Sequence, residues 1–322
     1  MSKLTQNDKK ILIFPGQGSQ YGGMSKELAL KFPKADLVYE CGSDILGYDL
    51  KELIHSDDTD SRLTDTRFVQ PAIFAASLVS LIAAQESGVC AEYHAAAGHS
   101  LGEYAALVCC GVLDMENGFK IIKSRSTVMA QAGSQNPGGM AAVIGLSAEE
   151  VNAVCEQVRQ SGIYVTLANH NSPQQVVIAG ETVGLDKAEE LLKQKEVKRL
   201  KIVRLKVSAA FHSVLMIEAA QIFKKEAEKI TFLPPKADFY SNVTTDKLTD
   251  FTNMPEYLSA HITSPVMFVP QLMNIQKDGY DTFVEVGPGK VLSGLVKKTF
   301  DDAKTYNIED LASLNKITEV PV

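Results

Sequence analysis

The stretch AAAGHSLGEYAAL, residues 95–107, constrains the fold more than any other part of the chain. Small apolar residues typical of a buried strand run into the turn GHSLG, and a helical pattern of apolar residues follows. A G-x-S-x-G sequence between a strand and a helix places its serine on a sharp, exposed turn. The two glycines fit such a turn, because strand and helix approach closely there and leave little room for a Cβ. The sequence therefore predicts an α/β fold with Ser100 as a candidate nucleophile.

The order of the other predicted elements indicates two domains. A strand KILIFP, a buried helix over 72–85 and the serine turn come first, and the turn-rich GSQNPGG follows them. From Met140 the pattern predicts strand, helix, strand, strand, helix and strand, which is the ferredoxin-like order. Helices and two strands, ADFYSN and the final TFVEV, complete the chain. We predict an α/β-hydrolase-like large domain with a parallel sheet, residues 1–136 and 208–322, interrupted by a small ferredoxin-like α+β domain at 137–207.

Composition excludes several classes of function. The formal net charge of -7 argues against a nucleic-acid-binding surface. The densest basic stretch, KQKEVKRLKIVRLK, has apolar residues at strand spacing and predicts the edge of a sheet, or at most a docking surface for an acidic partner. Five scattered cysteines show no metal spacing and suit a reducing compartment. The start of the chain lacks the apolar segment of a signal peptide, and the longest apolar run is too short for a membrane span. We expect a cytoplasmic protein without a metal or membrane contact.

A serine hydroxyl needs a base, and the sequence offers six histidines. His99 adjoins the serine, so its ring should leave the turn in another direction and line the site without acting as base. Chain order favours His212 or His261, since hydrolase-type folds place the base after the nucleophile. The residues alone leave these two equally supported. The N–H of Leu101, at the start of the following helix, is a candidate oxyanion donor.

Two glycine clusters, GQGSQYGG near the start and GPGK near the end, invite a nucleotide-binding interpretation. Tyrosine stands where the first cluster would need its third glycine, and valine follows the lysine of the second, where a P-loop requires serine or threonine. We interpret both as tight turns at strand ends. The first is also placed to donate an N–H to a bound oxygen.

Several motifs in order resemble one family over almost the whole length, from about Ile11 to Phe300. They are FPGQGSQYGGM, GHSLGEYAAL, KSRSTVMAQA, ANHNSPQQVVIAG, SAAFHS and FVEVGPGKVLSGLVKK. The chain resembles the malonyl-CoA:acyl-carrier-protein transacylases, a family that includes the acyltransferase domains of polyketide and fatty-acid megasynthases. The resemblance implies transfer of malonyl from malonyl-CoA to the phosphopantetheine thiol of acyl carrier protein. Coenzyme A is then part of a substrate, no cofactor is expected, and the free-standing chain is expected to act as a monomer.

The resemblance also assigns roles to residues. His212 matches the family's base, and Ser100 matches the serine that carries malonyl as an ester. The backbone N–H of Gln17 matches the partner of Leu101 in the oxyanion hole. Arg125 matches the arginine that holds the malonyl carboxylate, although a surface ion pair is the ordinary expectation for an arginine on a helix. A planar guanidinium pairs with a carboxylate through two hydrogen bonds, so acetyl-CoA would leave it unpaired.

Two further positions concern selectivity and a departure from the family. Phe211, before the base, fits the malonyl-type pattern, because a bulky ring leaves little room for a branched methylmalonyl group. His261 stands where many family members have glutamine. In the family the main-chain carbonyl at that position orients the catalytic histidine, a role that survives substitution. The imidazole of His261 would add a second titrating group near the site.

Three alternatives stay open at this point. A discrete acyltransferase acting in trans on a polyketide carrier would show the same motifs as an enzyme of fatty-acid synthesis. A serine esterase or thioesterase would share the serine turn, but the absence of an acidic third member argues against it. A non-catalytic module that docks on carrier proteins would not need Ser100, His212 and Arg125.

Overall fold

The computed structural model describes residues 9–57, 60–135, 137–207 and 209–318. Positions 136 and 208, where the two segments of the predicted large domain meet the predicted small domain, lie outside these ranges. The terminal segments 1–8 and 319–322 of the predicted large domain lie outside them as well.

The described residues contain nine strands and thirteen α-helices, with two short 3-10 helices at Ser61–Thr64 and Val214–Met216. The strands are β1 (Lys10–Phe14), β2 (Ala95–Gly98), β3 (Gly139–Ile144), β4 (Val165–Ser172), β5 (Gln175–Gly180), β6 (Lys201–Arg204), β7 (Asp238–Tyr240), β8 (Thr282–Val286) and β9 (Lys304–Ile308). The helices are α1 (Lys26–Lys31), α2 (Pro33–Leu46), α3 (Leu50–His55), α4 (Thr66–Glu86), α5 (Gly102–Cys109), α6 (Met115–Gln135), α7 (Ala148–Arg159), α8 (Thr182–Lys193), α9 (Ile217–Ala227), α10 (Met254–Thr263), α11 (Phe268–Lys277), α12 (Val291–Thr299) and α13 (Leu311–Thr318).

The first sheet is parallel and has the strand order β7-β2-β1-β8-β9. Every residue of β1, β2 and β8 is buried. Helices cover both faces of such a sheet, which is why its central strands are continuous apolar runs. TFVEV is not the final strand, because β9 follows it and pairs with β8. The sequence KTYNI of β9 is polar and mostly half-buried, as suits an edge strand, and so lacks the apolar signal of the others.

The second sheet is antiparallel and has the order β4-β5-β3-β6. Its strands alternate with α7 and α8 along the chain in the predicted sequence of elements. Within the basic stretch, Lys201–Arg204 form β6 at one edge of the sheet, as the spacing of the apolar residues predicted. At the other edge, β4 joins the segment after α10: His170 donates its N–H to the Val266 carbonyl at 2.9 Å. That contact brings the second sheet against the chain that leads out of α10.

The long apolar helix α4 begins six residues earlier than predicted. The carboxylate of Asp65 accepts the N–H of Arg67 and caps the helix, so that Pro71 lies inside it rather than at its boundary. By length and composition α4 is the one described helix that could cross a membrane, so the expectation that the apolar run is too short needs correction. Most of the helix is buried within the protein, where it packs against α2 and α6.

Candidate active site

The strand–turn–helix around Ser100 is held by close backbone contacts. Ser100 has φ 52°, in the left-handed region that L-residues seldom adopt. A Cβ on Gly98 would lie 2.1 Å from the carbonyl carbon of Gly102, and one on Gly102 would lie 1.9 Å from the Phe14 carbonyl oxygen. Both positions therefore require glycine, and the resulting contact of α5 with β1 and β2 projects Ser100 from the end of β2.

His212 lies beside the serine. The Oγ of Ser100 is 2.7 Å from Nε2 of His212, and Nδ1 is 3.0 Å from the Ser264 carbonyl oxygen and 3.2 Å from that of His261. Both partners of Nδ1 are acceptors, so Nδ1 carries the proton and donates it. Nε2 is then the unprotonated nitrogen that accepts the serine hydroxyl. The ring is thus oriented by main-chain carbonyls at the end of α10, where a hydrolase triad would have a carboxylate.

The protonation state of His212 follows from its surroundings. Burial, together with the positive charge of Arg125 and the nearby His99, lowers the pKa of His212 to about 3. Because the pKa is far below neutrality, the ring is neutral at physiological pH. A neutral imidazole can accept the proton of Ser100.

Arg125 reaches the serine from α6 and is 1% exposed. Its Nη2 donates to Ser100 Oγ at 3.0 Å, its Nη1 donates to the Gln70 side-chain oxygen at 2.6 Å, and its Nε is buried without a partner. No carboxylate among the described residues forms an ion pair with it. Burial lowers its pKa, although guanidinium stays protonated in proteins. A buried cation with an unused donor is suited to bind a small carboxylate.

A pocket of about 390 Å³ opens over Ser100, between the loop after β1 and the second sheet. Gln17 and Leu101 both line it, and no described residue accepts a hydrogen bond from either backbone N–H. These two groups are available to an oxygen atom in the pocket. Within the described residues, no three His, Cys, Asp or Glu side chains are grouped to hold a metal.

His99 and Phe211 also line the pocket. The Nε2 of His99 bonds the Asn171 side-chain oxygen at 2.7 Å, and the ring packs edge-on against Phe268 at 5.5 Å. Its ring therefore faces the second sheet and α11. This orientation does not suit the role of base for Ser100. Phe211 is 7% exposed and forms part of the pocket wall immediately before His212 in the chain.

His261 lies behind the ring of His212 and is not among the residues that line the pocket. It is fully buried on α10, with its ring 5.7 Å from that of His212 and its Nε2 3.4 Å from a carboxylate oxygen of Glu103. Burial lowers the pKa of His261 well below its usual value and raises that of Glu103 to about 8. Neither group therefore needs to carry a charge at neutral pH.

Two buried polar residues next to the predicted ones, Gln70 and Asn242, were not predicted from the sequence. Gln70 bonds Arg125, and Asn242 bonds the backbone of Ser100. Each had a signal: Gln70 is a polar residue within an apolar helix, and Asn242 follows β7, the strand that pairs with β2. Polar residues at the carboxyl ends of neighbouring parallel strands converge on the same edge of a sheet.

Comparison with known proteins agrees with this arrangement. The acyl transferase domain model matches residues 11–317. The malonyl CoA-acyl carrier protein transacylase of Bacillus subtilis is 38% identical over 302 residues, 94% of each chain. The crystal structure of the transacylase of that name from Clostridium perfringens has a TM-score of 0.90 at 37% identity, covering 97% of this chain and 96% of the other. A malonyl-transacylase in complex with its type II PKS acyl-carrier protein has a TM-score of 0.91 at 35% identity, covering 97% and 99%. The chain therefore belongs to the acyl transferase domain family and, within it, to the malonyl CoA-acyl carrier protein transacylases.

Proposed function

We propose that the protein transfers malonyl from malonyl-CoA to the phosphopantetheine thiol of acyl carrier protein through a malonyl ester of Ser100. One observation carries the proposal: the Ser100 hydroxyl contacts a neutral histidine and a buried arginine that has no carboxylate partner among the described residues. The histidine suits attack on a thioester, and the arginine suits a substrate that ends in a carboxylate. The names of the relatives point to the same reaction.

In the first half-reaction, Oγ of Ser100 attacks the thioester carbonyl carbon of malonyl-CoA. Nε2 of His212 takes the hydroxyl proton as the bond forms, while Nδ1–H stays bonded to the carbonyls of His261 and Ser264. Collapse of the tetrahedral intermediate breaks the carbon–sulfur bond. The coenzyme A thiolate leaves with the proton from His212, and malonyl remains as an ester on the serine.

The negative oxygen of that intermediate needs donors that are already in place. Gln17 and Leu101 line the pocket beside the serine, and their backbone N–H groups have no acceptor among the described residues, which supports them as two of these donors. The N–H of Leu101 lies at the start of α5, where the helix dipole also favours negative charge.

Arg125 selects the acyl group in this proposal. A malonyl carboxylate would pair with a guanidinium that has an unsatisfied Nε. Acetyl-CoA offers no such group and would leave the buried cation without its partner. Gln70 holds the other side of the guanidinium and so fixes the direction in which it presents its donors.

In the second half-reaction, the thiol of the carrier protein's phosphopantetheine attacks the malonyl-serine ester. His212 takes the thiol proton and returns it to Oγ of Ser100 as the ester bond breaks. The serine is regenerated and malonyl leaves on the carrier protein. The two substrates use the site in turn, which makes the mechanism ping-pong.

We assign the product to fatty-acid synthesis, with polyketide synthesis as the alternative. One structural relative is described as bound to a type II PKS acyl-carrier protein, so a carrier of that kind is a reasonable second substrate. A serine esterase is less well supported, because the ring of His212 is oriented by carbonyls rather than by a carboxylate.

Incubation with malonyl-CoA and a holo acyl carrier protein tests the function directly. We expect malonyl-carrier and free coenzyme A in equal amounts, and neither with a Ser100→Ala variant. Free malonate with unmodified carrier would indicate a hydrolase and contradict the proposal. Carriers of the fatty-acid and polyketide kinds, compared at equal concentration, decide the pathway.

We also propose the finer organisation that the sequence predicted. The antiparallel order β4-β5-β3-β6, with connections in the order βαββαβ, supports a ferredoxin-like insertion at 137–207. The parallel sheet with the serine turn after β2 supports an α/β-hydrolase-like large domain made of 1–136 and 208–322. Limited proteolysis that first releases a fragment near 137–207 would support these limits, and first cuts inside the second sheet would contradict them.

For the cellular setting we propose a cytoplasmic monomer whose partners are malonyl-CoA and acyl carrier protein, without nucleic acid or membrane and without a cofactor. The net charge of -7 and the absence of a disulfide among its five cysteines support this setting. Sedimentation at micromolar concentration should give a mass near 35.0 kDa, and a dimer mass would overturn the monomer.

A further inference from the structure

The side chain of Asn242 bonds two backbone groups where β2 enters the serine turn. Its oxygen accepts the backbone N–H of Ser100 at 2.7 Å, and its NH₂ group donates to the Gly98 carbonyl at 2.7 Å. Asn242 lies after β7, which pairs with β2, and is fully buried. One amide from the end of a neighbouring strand therefore satisfies the backbone groups on either side of His99, where the chain enters the serine turn.

The orientation of this amide is fixed by its other neighbours. Its NH₂ group also donates to the side-chain oxygen of Gln271 at 3.1 Å, and Gln271 in turn donates to the Tyr240 carbonyl at 2.9 Å. Exchange of the oxygen and nitrogen of Asn242 would set its NH₂ against the Ser100 N–H and its oxygen against two acceptors. Only one orientation satisfies all the groups, so the amide is a rigid support.

The backbone of Asn242 extends the same network to α5. Its N–H donates to the buried carboxyl group of Glu103, three residues after the serine, and Tyr257 of α10 donates to the same group at 2.9 Å. Nε2 of His261 lies 3.4 Å from the side-chain oxygen of Asn242. The residue thus lies between the serine turn and the helix whose end supplies a carbonyl to His212.

We propose that Asn242 is a positioning residue for the nucleophile: it holds Ser100 in the left-handed conformation that directs Oγ at His212 and Arg125. This inference rests on the proposed function and adds a residue to it. Ser100 at φ 52° is a strained conformation, and such conformations persist only where the surroundings impose them. The contact also occupies the serine's own N–H, which leaves the N–H groups of Gln17 and Leu101 to face the substrate oxygen.

Single-turnover acylation of the full-length protein by malonyl-CoA tests the inference. Asn242→Asp keeps the size of the side chain but places a carboxylate oxygen against the carbonyl of Gly98 and the oxygen of Gln271. We expect the acylation rate constant to fall roughly tenfold to a hundredfold, as small displacements of a reacting group do. The malonyl-CoA concentration that gives half the maximal rate should change by less than about threefold, because Asn242 does not line the pocket.

Two further variants separate positioning from folding. Asn274→Asp on α11 is the matched control, since its amide also donates to a main-chain carbonyl, that of Thr245 at 2.9 Å, away from the serine. It should acylate at the wild-type rate. Gln271→Leu leaves Asn242 in place but removes the acceptor that orients its amide, and should lower the rate constant by a smaller factor. Rates are normalised to the fraction of protein that finally carries malonyl, so partial unfolding does not mimic the effect.

The outcomes are distinct. A lower rate constant for Asn242→Asp and Gln271→Leu, with Asn274→Asp unchanged, supports the role of Asn242. Wild-type rate constants in both network variants, or an effect confined to the half-saturating concentration, would overturn it while leaving the proposed function intact. A wild-type protein that forms no malonyl adduct would overturn the proposed function and, with it, this inference.

Discussion

The guanidinium of Arg125 lies in the protein interior with one amide partner, the serine hydroxyl and an unused Nε. Burying a cation without a matching anion is costly, and the protein bears that cost at the position where the substrate would arrive. The residue types around α6 do not predict this, since an arginine on a helix usually pairs at the surface. Only the resemblance to the transacylases predicts a role for Arg125 in the site.

Replacing Arg125 with alanine tests its role in selecting the acyl group. We expect kcat/KM for malonyl-CoA to fall roughly a hundredfold or more, because two charge-assisted hydrogen bonds are lost. The much lower rate with acetyl-CoA should change little or rise. Lys123→Ala, on the exposed side of the same helix, is the control and should keep the wild-type preference. An equal loss for both substrates would contradict the role of Arg125 in selection.

Phe211 gives a second test at the scale of one residue. Its ring forms part of the pocket wall beside His212, so Phe211→Ser enlarges the space near the acyl group. We expect methylmalonyl-CoA to become a substrate while malonyl transfer drops less than about tenfold, in keeping with the modest discrimination that one apolar contact provides. Competition between the two thioesters measures the ratio. A variant that gains no methylmalonyl transfer would count against this role of Phe211.

At the scale of elements, the serine turn is the part that the sequence predicted best. Strand β2, the turn and helix α5 follow from the GHSLG pattern, because the close approach of α5 to β1 excludes any side chain at the second glycine. Strand β9 was not predicted, since a polar edge strand lacks the apolar signal. Helix α4 was predicted too short, because the Asp65 cap begins it at Thr66, before the apolar run that the prediction followed.

Gly102 and Gly294, both in helices, provide a matched pair of substitutions that tests the close contact at the serine turn. In Gly102→Ala on α5, the new Cβ would lie 1.9 Å from a backbone oxygen, so the free energy of unfolding should fall by several kcal/mol. In Gly294→Ala on α12, the new Cβ meets nothing within 4 Å, so stability should stay equal or rise by up to about 1 kcal/mol. Chemical denaturation of both variants measures the difference. Similar effects at the two sites would show that the tight contact is not what the turn requires.

For the whole molecule, the site exists because distant segments converge. Ser100 follows β2, His212 follows the second sheet, and the carbonyls that orient His212 end α10. The residues alone could not choose between His212 and His261, because both come after the serine in the chain and only the tertiary fold separates a ring in the pocket from one behind it. Asn242 and Gln70 were missed for the same reason, as single polar residues whose partners are more than fifty positions away.

The buried histidines should make stability depend on pH. Burial lowers the pKa of His99, His212 and His261 in the folded state, so below the ordinary histidine pKa the unfolded chain binds more protons. Their contribution to stability is therefore present above about pH 6.5 and is lost as the pH falls. In His261→Gln one of these contributions is removed. As the pH is lowered from 7 to 5, the free energy of unfolding of the variant should increase relative to that of wild type. The increase should be up to about 1.4 kcal/mol per pH unit.

Denaturation curves at a series of pH values measure this difference. A stability difference that does not change with pH would contradict the account of His261 as a buried neutral ring. The pH profile of malonyl transfer should be the same in His261→Gln and wild type between about pH 6 and 8, since a ring with a lowered pKa does not titrate there. A shifted profile would restore the idea of a second titrating group near the site.

The central claim is that Ser100 carries malonyl between two carriers, and intact-mass measurement after mixing with malonyl-CoA alone tests it most directly. The account predicts one malonyl adduct per chain that is stable without a thiol acceptor, disappears when holo acyl carrier protein is added, and is absent in Ser100→Ala. A wild-type protein that stays unmodified while coenzyme A and malonate accumulate, or an adduct that persists in Ser100→Ala, would contradict it.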